Sequence, residues 1–316
     1  MVGEMFDPRK EFGKAVTIAA KANPNIVVFS ADSGKSSGFG EFMQIFPERY
    51  FECGIMEQGV VGMSAGISTA GKIPVFCAIA PFVTARPYEM LRNDVGYMGQ
   101  NVKIVGRNCG ITYSDLGSTH CGLDDFALMR MIPGMTILAP QDPVELRQAV
   151  FAMLEHKGPV YMRIGGPKIM QIFEEKPFVI GKGSILRNGT DVTLFSTGSA
   201  TKDVLEAANI LYGKGISCLV IGMPTVYPLD QELVKWAANK TGRVMTVEEH
   251  YVEGGFGSIV TEVLSETPNL IVRRVGLPKE YTVTCGDYDR LLDYYQLNSC
   301  GIVRQVEQFL TDHMTA

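Results

Sequence analysis

The sequence is short of the residues that mark most specialised chemistries. It holds one tryptophan and four histidines (120, 156, 250 and 313), and the histidines show no metal-ligand spacing. Its seven cysteines are scattered, odd in number and without a Cys-x-x-Cys pair. That argues against a zinc site or a disulfide framework and for a reducing cytoplasm, so no metal is expected on side chains of this chain. Basic residues are not in excess: Lys and Arg total 29 against 34 Asp and Glu, a net charge of −5. Such a balance gives no reason to expect nucleic acid or an anionic membrane surface as partner. No apolar run approaches the roughly 18 residues of a membrane span. The opening MVGEMFDPRKEFGK lacks the charged-then-apolar layout of a secretory signal. Internal repeats and low-complexity segments are also missing.

What remains is a soluble globular chain. Its 316 residues, 46% hydrophobic and 20% charged, suffice for two domains with well-developed cores. Helix and strand signals alternate along it. Asp7-Pro8 is an N-cap signature that opens a helix through Ala22, broken at Asn23-Pro24-Asn25. Buried-strand runs follow at 26–31, 50–53, 74–80, 102–106, 135–139 and 160–164. Helices are expected at 57–70, from Pro81 through Leu91, up to Met131 and at 143–155. Residues 171–190 read as a connection, with one short strand candidate at 178–180. The pattern then repeats, with strands at 191–197, 217–222, 243–249 and 270–276 and helices at 200–213, 230–239, 256–265 and 301–310. The expected fold class is α/β: two doubly wound domains, 1–170 and 191–316, each a mostly parallel sheet covered by helices.

The stretch from Tyr50 to Gly71, YFECGIMEQGVVGMSAGISTAG, carries the first chemical signal. A short strand meets Gly54, and Glu57 stands at the mouth of a small-residue helix expected to be buried on nearly all sides. A carboxylate there is either paired or raised in pKa. Its plain structural role is a first-turn residue that answers the helix dipole. Two polar loops, Asp32 to Gly40 and Arg107 to Gly122, follow strand ends, where α/β proteins bind ligands.

Gly54-Ile55-x-Glu57 and the Gly/Ala-rich helix after it resemble the activating-glutamate motif of the transketolase-like thiamine diphosphate enzymes. PRKEFGKAV (8–16), Ala31-Asp32, LGSTH with Asp124-Asp125, APQDPVE (139–145) and EEH…GGFGS (248–258) extend the resemblance over almost the whole length. The chain is similar to the pyrimidine-binding and C-terminal domains of transketolase, as found in the C-terminal subunit of a split enzyme. The family's Gly-Asp-Gly motif with a later Asn, which holds Mg²⁺ and the cofactor diphosphate, is absent. The resemblance therefore implies a separate N-terminal subunit that supplies it, a heterotetramer with sites at subunit interfaces, and two-carbon ketol transfer between sugars or sugar phosphates.

Residue roles follow from the same resemblance. Glu57 would exchange a proton with the aminopyrimidine of thiamine diphosphate, with Phe82, Ile79 and Asp32 lining the cofactor. Phe82 read alone is core filling, and Asp32 read alone is a cap or turn residue. His120 would contact substrate and take part in catalysis; Arg9 and Ser36 would bind a sugar phosphate, with Asp115 nearby. Three positions depart from the family: Asn108 stands where a histidine is usual, Leu116 where an acidic residue is, and Gly166 where an arginine grips the acceptor phosphate. Arg163 is then the nearest guanidinium, and a non-standard substrate is expected. Two other readings are open: the β subunit of a 2-oxo acid dehydrogenase, and a non-catalytic nucleotide-binding or regulatory subunit. GGFGS is a poor dinucleotide fingerprint, because the full spacing and a following acidic residue are lacking.

Overall fold

The computed structural model describes residues 3–175, 177–281 and 285–312. His313 lies outside them. β1 (Met5–Phe6) and α1 (Pro8–Ala22) lead to β2 (Ile26–Ser30), α2 (Gly40–Ile45), β3 (Tyr50–Glu52), α3 (Glu57–Thr69) and β4 (Ile73–Ile79). Next come α4 (Ala80–Val83), α5 (Tyr88–Met90), β5 (Lys103–Cys109), α6 (Asp125–Arg130), β6 (Thr136–Leu138), α7 (Pro143–Glu155) and β7 (Val160–Gly165). The remainder is β8 (Ile169–Met170), β9 (Ser184–Arg187), β10 (Val192–Ser196), α8 (Ala200–Gly213), β11 (Cys218–Gly222) and β12 (Thr225–Tyr227). It closes with α9 (Gln231–Thr241), β13 (Arg243–Tyr251), α10 (Phe256–Leu264), β14 (Ile271–Leu277), α11 (Tyr288–Tyr294) and α12 (Ser299–Asp312).

These strands build two α/β domains with mostly parallel sheets. The larger sheet has the order β12-β6-β7-β5-β4-β2-β3, the smaller β14-β13-β10-β11-β9, and β1 pairs with β8. β2 (IVVFS) and β4 (IPVFCAI) read as near-continuous apolar runs, as strands covered by helices on both faces do. The helix starts are set locally: the Asp7, Asp142 and Asp230 side chains accept backbone N–H groups at the first turns of α1, α7 and α9. One strand crosses between domains. β12 follows β11 in sequence yet pairs antiparallel with β6, Thr225 against Leu138. One continuous apolar core accordingly runs from Phe76, Ile104 and Tyr161 to Val226, Val234 and Phe256.

Four expectations are corrected. The helix from Pro81 through Leu91 is broken: α4 stops at Val83, α5 starts after Pro87, and a π-helical turn covers Leu91–Tyr97. Pro87 has no N–H to continue the first piece and disfavours helical backbone at the residue before it. Residues 178–180 form no strand; Phe178 and Ile180 instead pack against the first-domain core, and the sheet edge is β9, antiparallel to β11. α3 is not buried all round: Gln58, Met63 and Gly66 are exposed. Finally α11, capped by Asp287, has no counterpart among the expected helices.

Candidate active site

The carboxyl ends of β2, β4, β5 and β7 lie side by side on one edge of the larger sheet, with the loop after β3 beside them. Glu52, at the end of β3, ties the turns together. Its carboxylate accepts the backbone N–H of Asp32 (2.7 Å) and of Gly54 (3.3 Å) and the hydroxyl of Tyr50 (2.8 Å). Burial pushes this carboxyl up, but the donors outweigh it and hold the group below its usual range. Asp32 is left at a left-handed φ of 54°, its side chain exposed. Glu52 thereby fixes the turn that presents Glu57.

Glu57 opens α3 and is only 4% exposed. Its Oε1 accepts a hydrogen bond from Arg86 Nη1 at 2.6 Å, and the Arg86 guanidinium lies 4.1 Å from the centre of the Phe82 ring. The break at Pro87 is what brings Arg86 back over Phe82. From there the cluster continues through rings. Phe82 meets the His120 imidazole edge-on at 5.2 Å, and His120 meets Tyr113 at 6.1 Å. Tyr113 accepts from Arg107, which also bonds Asn108 and Ser36. Ile79, half-buried, ends β4 beside this cluster.

Of the residues read from the sequence, Glu57, Phe82, His120, Asn108 and Ser36 are thus joined in one chain of contacts. Arg9 is engaged elsewhere: Nε and Nη2 both donate to Asp7. Its helix packs close to the Ser33–Gly38 turn, where a side chain at Gly13 would fall 2.0 Å from the Gly38 carbonyl oxygen. Asp115 is exposed on the long loop. Arg163 does not reach the pocket, which corrects its place among the substrate residues. It is 4% exposed, pairs with Asp125 at 3.0 Å and donates to the Glu249 carbonyl across the domain seam. Strand alternation puts it on the face of the sheet where Asp125 and Glu249 lie. Gly166 adopts a φ of 77°, so glycine there answers the backbone as well as the pocket.

Three residues that organise the site have no role assigned from the sequence, although Glu249 lies in the EEH…GGFGS run. Arg86 and Arg107 are ordinary arginines in ordinary contexts. Glu249 lies in the second domain, yet its carboxylate accepts the Ile111 N–H, the Ser199 hydroxyl and the Tyr288 hydroxyl, each at 2.7 Å. It pins the substrate-side loop to the C-terminal domain, and burial raises its pKa. Gly110 is required beneath it, since a Cβ there would lie 2.1 Å from Glu249 Oε1. A cavity of about 580 Å³ lies farther along the seam by Gly166, Ser199 and Tyr288 and does not include Glu57. The flank of Glu57 is an open surface instead, with Ile55 73% exposed and Met56 45%.

Arg86 tests whether these residues fit an aminopyrimidine. Its planar, N–H-bearing cation stacks on Phe82 and donates to a buried carboxylate, which is the contact set such a ring would make. The residues fit that half of thiamine diphosphate. For the diphosphate half, the described residues contain no cluster of His, Cys, Asp or Glu that could hold a metal ion.

Two doubly wound domains and a half-site built on a buried glutamate define a subunit of a thiamine diphosphate enzyme. The chain belongs to the transketolase family, as the C-terminal subunit of a split, two-chain transferase. The transketolase pyrimidine-binding domain family matches residues 4–169, and the transketolase C-terminal domain family matches 181–302. One subunit of an apulose-4-phosphate transketolase from Phocaeicola vulgatus is 37% identical over 98% of this chain and 99% of its own. A 6-deoxy-6-sulfo-D-fructose transketolase subunit from Clostridium sp. is 38% identical over 92% of this chain and 90% of its own. A solved split-gene transketolase, an inactive β4 tetramer, is 39% identical with a TM-score of 0.87, covering 96% of this chain and 98% of that one.

Proposed function

We propose that this chain, joined to an N-terminal subunit that holds Mg²⁺ and the diphosphate, transfers a two-carbon ketol unit from a ketose to an aldose. The observation that carries the reading is Glu57, buried at the start of α3 with a planar cationic donor held between it and Phe82. When bound, thiamine diphosphate supplies the carbon nucleophile and the electron sink. The chain's own residues do the rest. Glu57 exchanges a proton with a ring nitrogen at Oε1, the oxygen that Arg86 otherwise holds. Phe82 and Ile79 form the apolar wall against the ring, with Asp32 at its edge. His120 and Asn108 face the sugar hydroxyls, and Ser36 and Arg9 flank the far end of the substrate, with Asp115 on the loop above.

Phe51, Ile55, Met56 and Met63, on either side of Glu57 in the chain, are exposed, as are Tyr97 and Met98 at the end of the π-helical turn that packs on α3. Apolar residues gathered there suit burial by the N-terminal subunit and by a second copy in a heterotetramer. Seven free cysteines suit a cytoplasmic setting.

The test is Glu57→Gln in the assembled complex, followed by proton–deuterium exchange at C2 of the cofactor. Turnover and exchange are expected to fall by roughly two to four orders of magnitude with the fold retained. Unchanged exchange would make Glu57 a structural residue and remove the basis of the reading.

A further inference from the structure

Arg107 lies near the end of β5, one residue before Asn108, whose φ of 52° is left-handed. The residue is 3% exposed, and the bonding partners of its guanidinium are neutral. Nε donates to Ser37 Oγ (3.0 Å), Nη1 to Asn108 Oδ1 and to the Tyr113 hydroxyl (2.9 Å each), and Nη2 to Ser36 Oγ (2.9 Å). Among the described residues no carboxylate comes within 4.0 Å of it. A guanidinium keeps its charge at any ordinary pH, and a buried ion is costly without an opposite charge to face it. Arg107 therefore differs from a structural arginine: its hydrogen bonds are made, but its charge is not answered.

The same bonds decide which protons are left to face the pocket. Because Asn108 Oδ1 accepts from Arg107, the Asn108 amide NH₂ is turned away from it. Because the Tyr113 oxygen accepts too, the phenolic proton is free to donate. One Nη2 hydrogen remains beside the exposed Ser36. Ser36 itself has no proton to spare, since its hydroxyl donates to the Ser33 carbonyl (2.9 Å); the Asn108 amide, the Tyr113 hydroxyl and the last Nη2 hydrogen of Arg107 are the donors left, backed by a full positive charge. Tyr113 also packs on His120, so this place adjoins the proposed substrate site.

We propose that Arg107 is the specificity residue for an anionic group on the substrate: a phosphate, sulfonate or carboxylate that supplies the missing counter-charge and accepts from Asn108, Tyr113 and Arg107. The inference rests on the ketol-transfer reading for the remainder of the ligand; the anion site itself does not depend on it.

The probe is inorganic phosphate, titrated calorimetrically into the full chain at constant ionic strength. Saturable binding is expected in the wild type. Asn108→Asp places a carboxylate against Arg107, and asparagine and aspartate both tolerate left-handed backbone. It is expected to weaken phosphate binding at least about tenfold, the equivalent of one charge-assisted bond of about 1.5 kcal/mol. It is also expected to raise the melting temperature, because the lone cation gains its partner. Arg107→Met should lose binding to the same degree, and Arg107→Lys should keep most of it. In the assembled complex, the ratio of kcat/KM for a phosphorylated acceptor over its unphosphorylated counterpart should fall by a similar factor in Asn108→Asp. Absence of saturable phosphate binding in the wild type, or binding indifferent to both Asn108→Asp and Arg107→Met, overturns the proposal. Phosphate binding as described without any ketol transfer sinks the proposed function and leaves the anion site. Ketol transfer with an unaltered acceptor ratio does the reverse.

Discussion

Arg163 and Arg107 lie on adjacent strands, Arg163 paired with Gly106 and Arg107 with Ile164, and both side chains are almost wholly buried. Their surroundings are opposite in kind. Arg163 faces the domain seam, where Asp125 neutralises it, Phe126 stacks beneath it at 4.5 Å and Tyr161 donates to the other oxygen of Asp125 at 2.6 Å. Arg107 faces the strand ends, among hydroxyls and an amide. One strand step separates a charge whose partner belongs to the fold from a charge whose partner has to arrive. Burial alone does not tell a structural arginine from a binding one; the sign of what faces it does.

Three measurements press on that contrast. The largest effect is expected at the seam. Arg163→Met leaves Asp125 buried without its cation, and Asp125→Asn does the converse; each should cost about 3–5 kcal/mol in a urea titration. A loss under about 1 kcal/mol would show that the seam tolerates unpaired charge and would erase the distinction.

The next concerns two neighbours in the seam, Glu248 and His250, whose side chains approach to 3.9 Å. Burial pushes the Glu248 carboxyl up to about 7, against the pull of the N–H groups of Phe256 and Gly257 at the start of α10. Burial pushes the His250 imidazole down to about 4. Between pH 4.5 and 6.5 the folded pair is neutral and uncharged, whereas the unfolded pair is a carboxylate and an imidazolium, so equal numbers of protons are bound and stability is flat in pH. Removing either partner tilts the curve. In Glu248→Gln, His250 alone remains: the unfolded state binds the extra proton, and stability rises with pH between about 4 and 6.5. In His250→Asn, Glu248 alone remains: the folded state binds the extra proton, and stability falls as pH rises from about 4.5 to 7. Each tilt should amount to about 3 kcal/mol across its window. Parallel curves in the two variants would mean that the pair does not share its protons in this way.

The smallest effect is expected at the pocket. Arg107→Met removes a charge the fold does not answer, and its hydroxyl and amide partners can turn to water. The same urea titration should register a change within about 1 kcal/mol of wild type, in either direction. A loss as large as that of Arg163→Met would make Arg107 a scaffold residue like its neighbour.

Much of the fold was legible because local and global signals agree. Asp-Pro pairs start α1 and α7 where expected, and strand runs such as Val192–Ser196 have the length and branching of buried parallel strands. β12 was not legible, because three residues that leave their own domain to pair with β6 carry no periodic trace of the destination. The exposed side of α3 is not legible for a related reason: its small and apolar residues, such as Met63 and Gly66, have the composition of a core. At the site, Glu57 stood out through its flanking glycines and strand. Arg86 and Arg107 did not, since their meaning comes from partners 29 and 71 residues away in sequence. Arg163 was misassigned because a guanidinium two residues from a strand end looks available until Asp125 is placed opposite it.

The excursion of β12 bears on how this polypeptide can be cut. A fragment that ended near residue 190 would lose the strand that covers β6, leaving Thr136, Ile137 and Leu138 as an open sheet edge. The same cut would strip Val226, Val234 and Phe256 from the apolar side of the shared core. An uncapped edge presents unpaired backbone groups that can pair with other copies. The two halves look modular in sequence but are not interchangeable parts: the second domain supplies the strand that closes the first one's sheet and one side of its core.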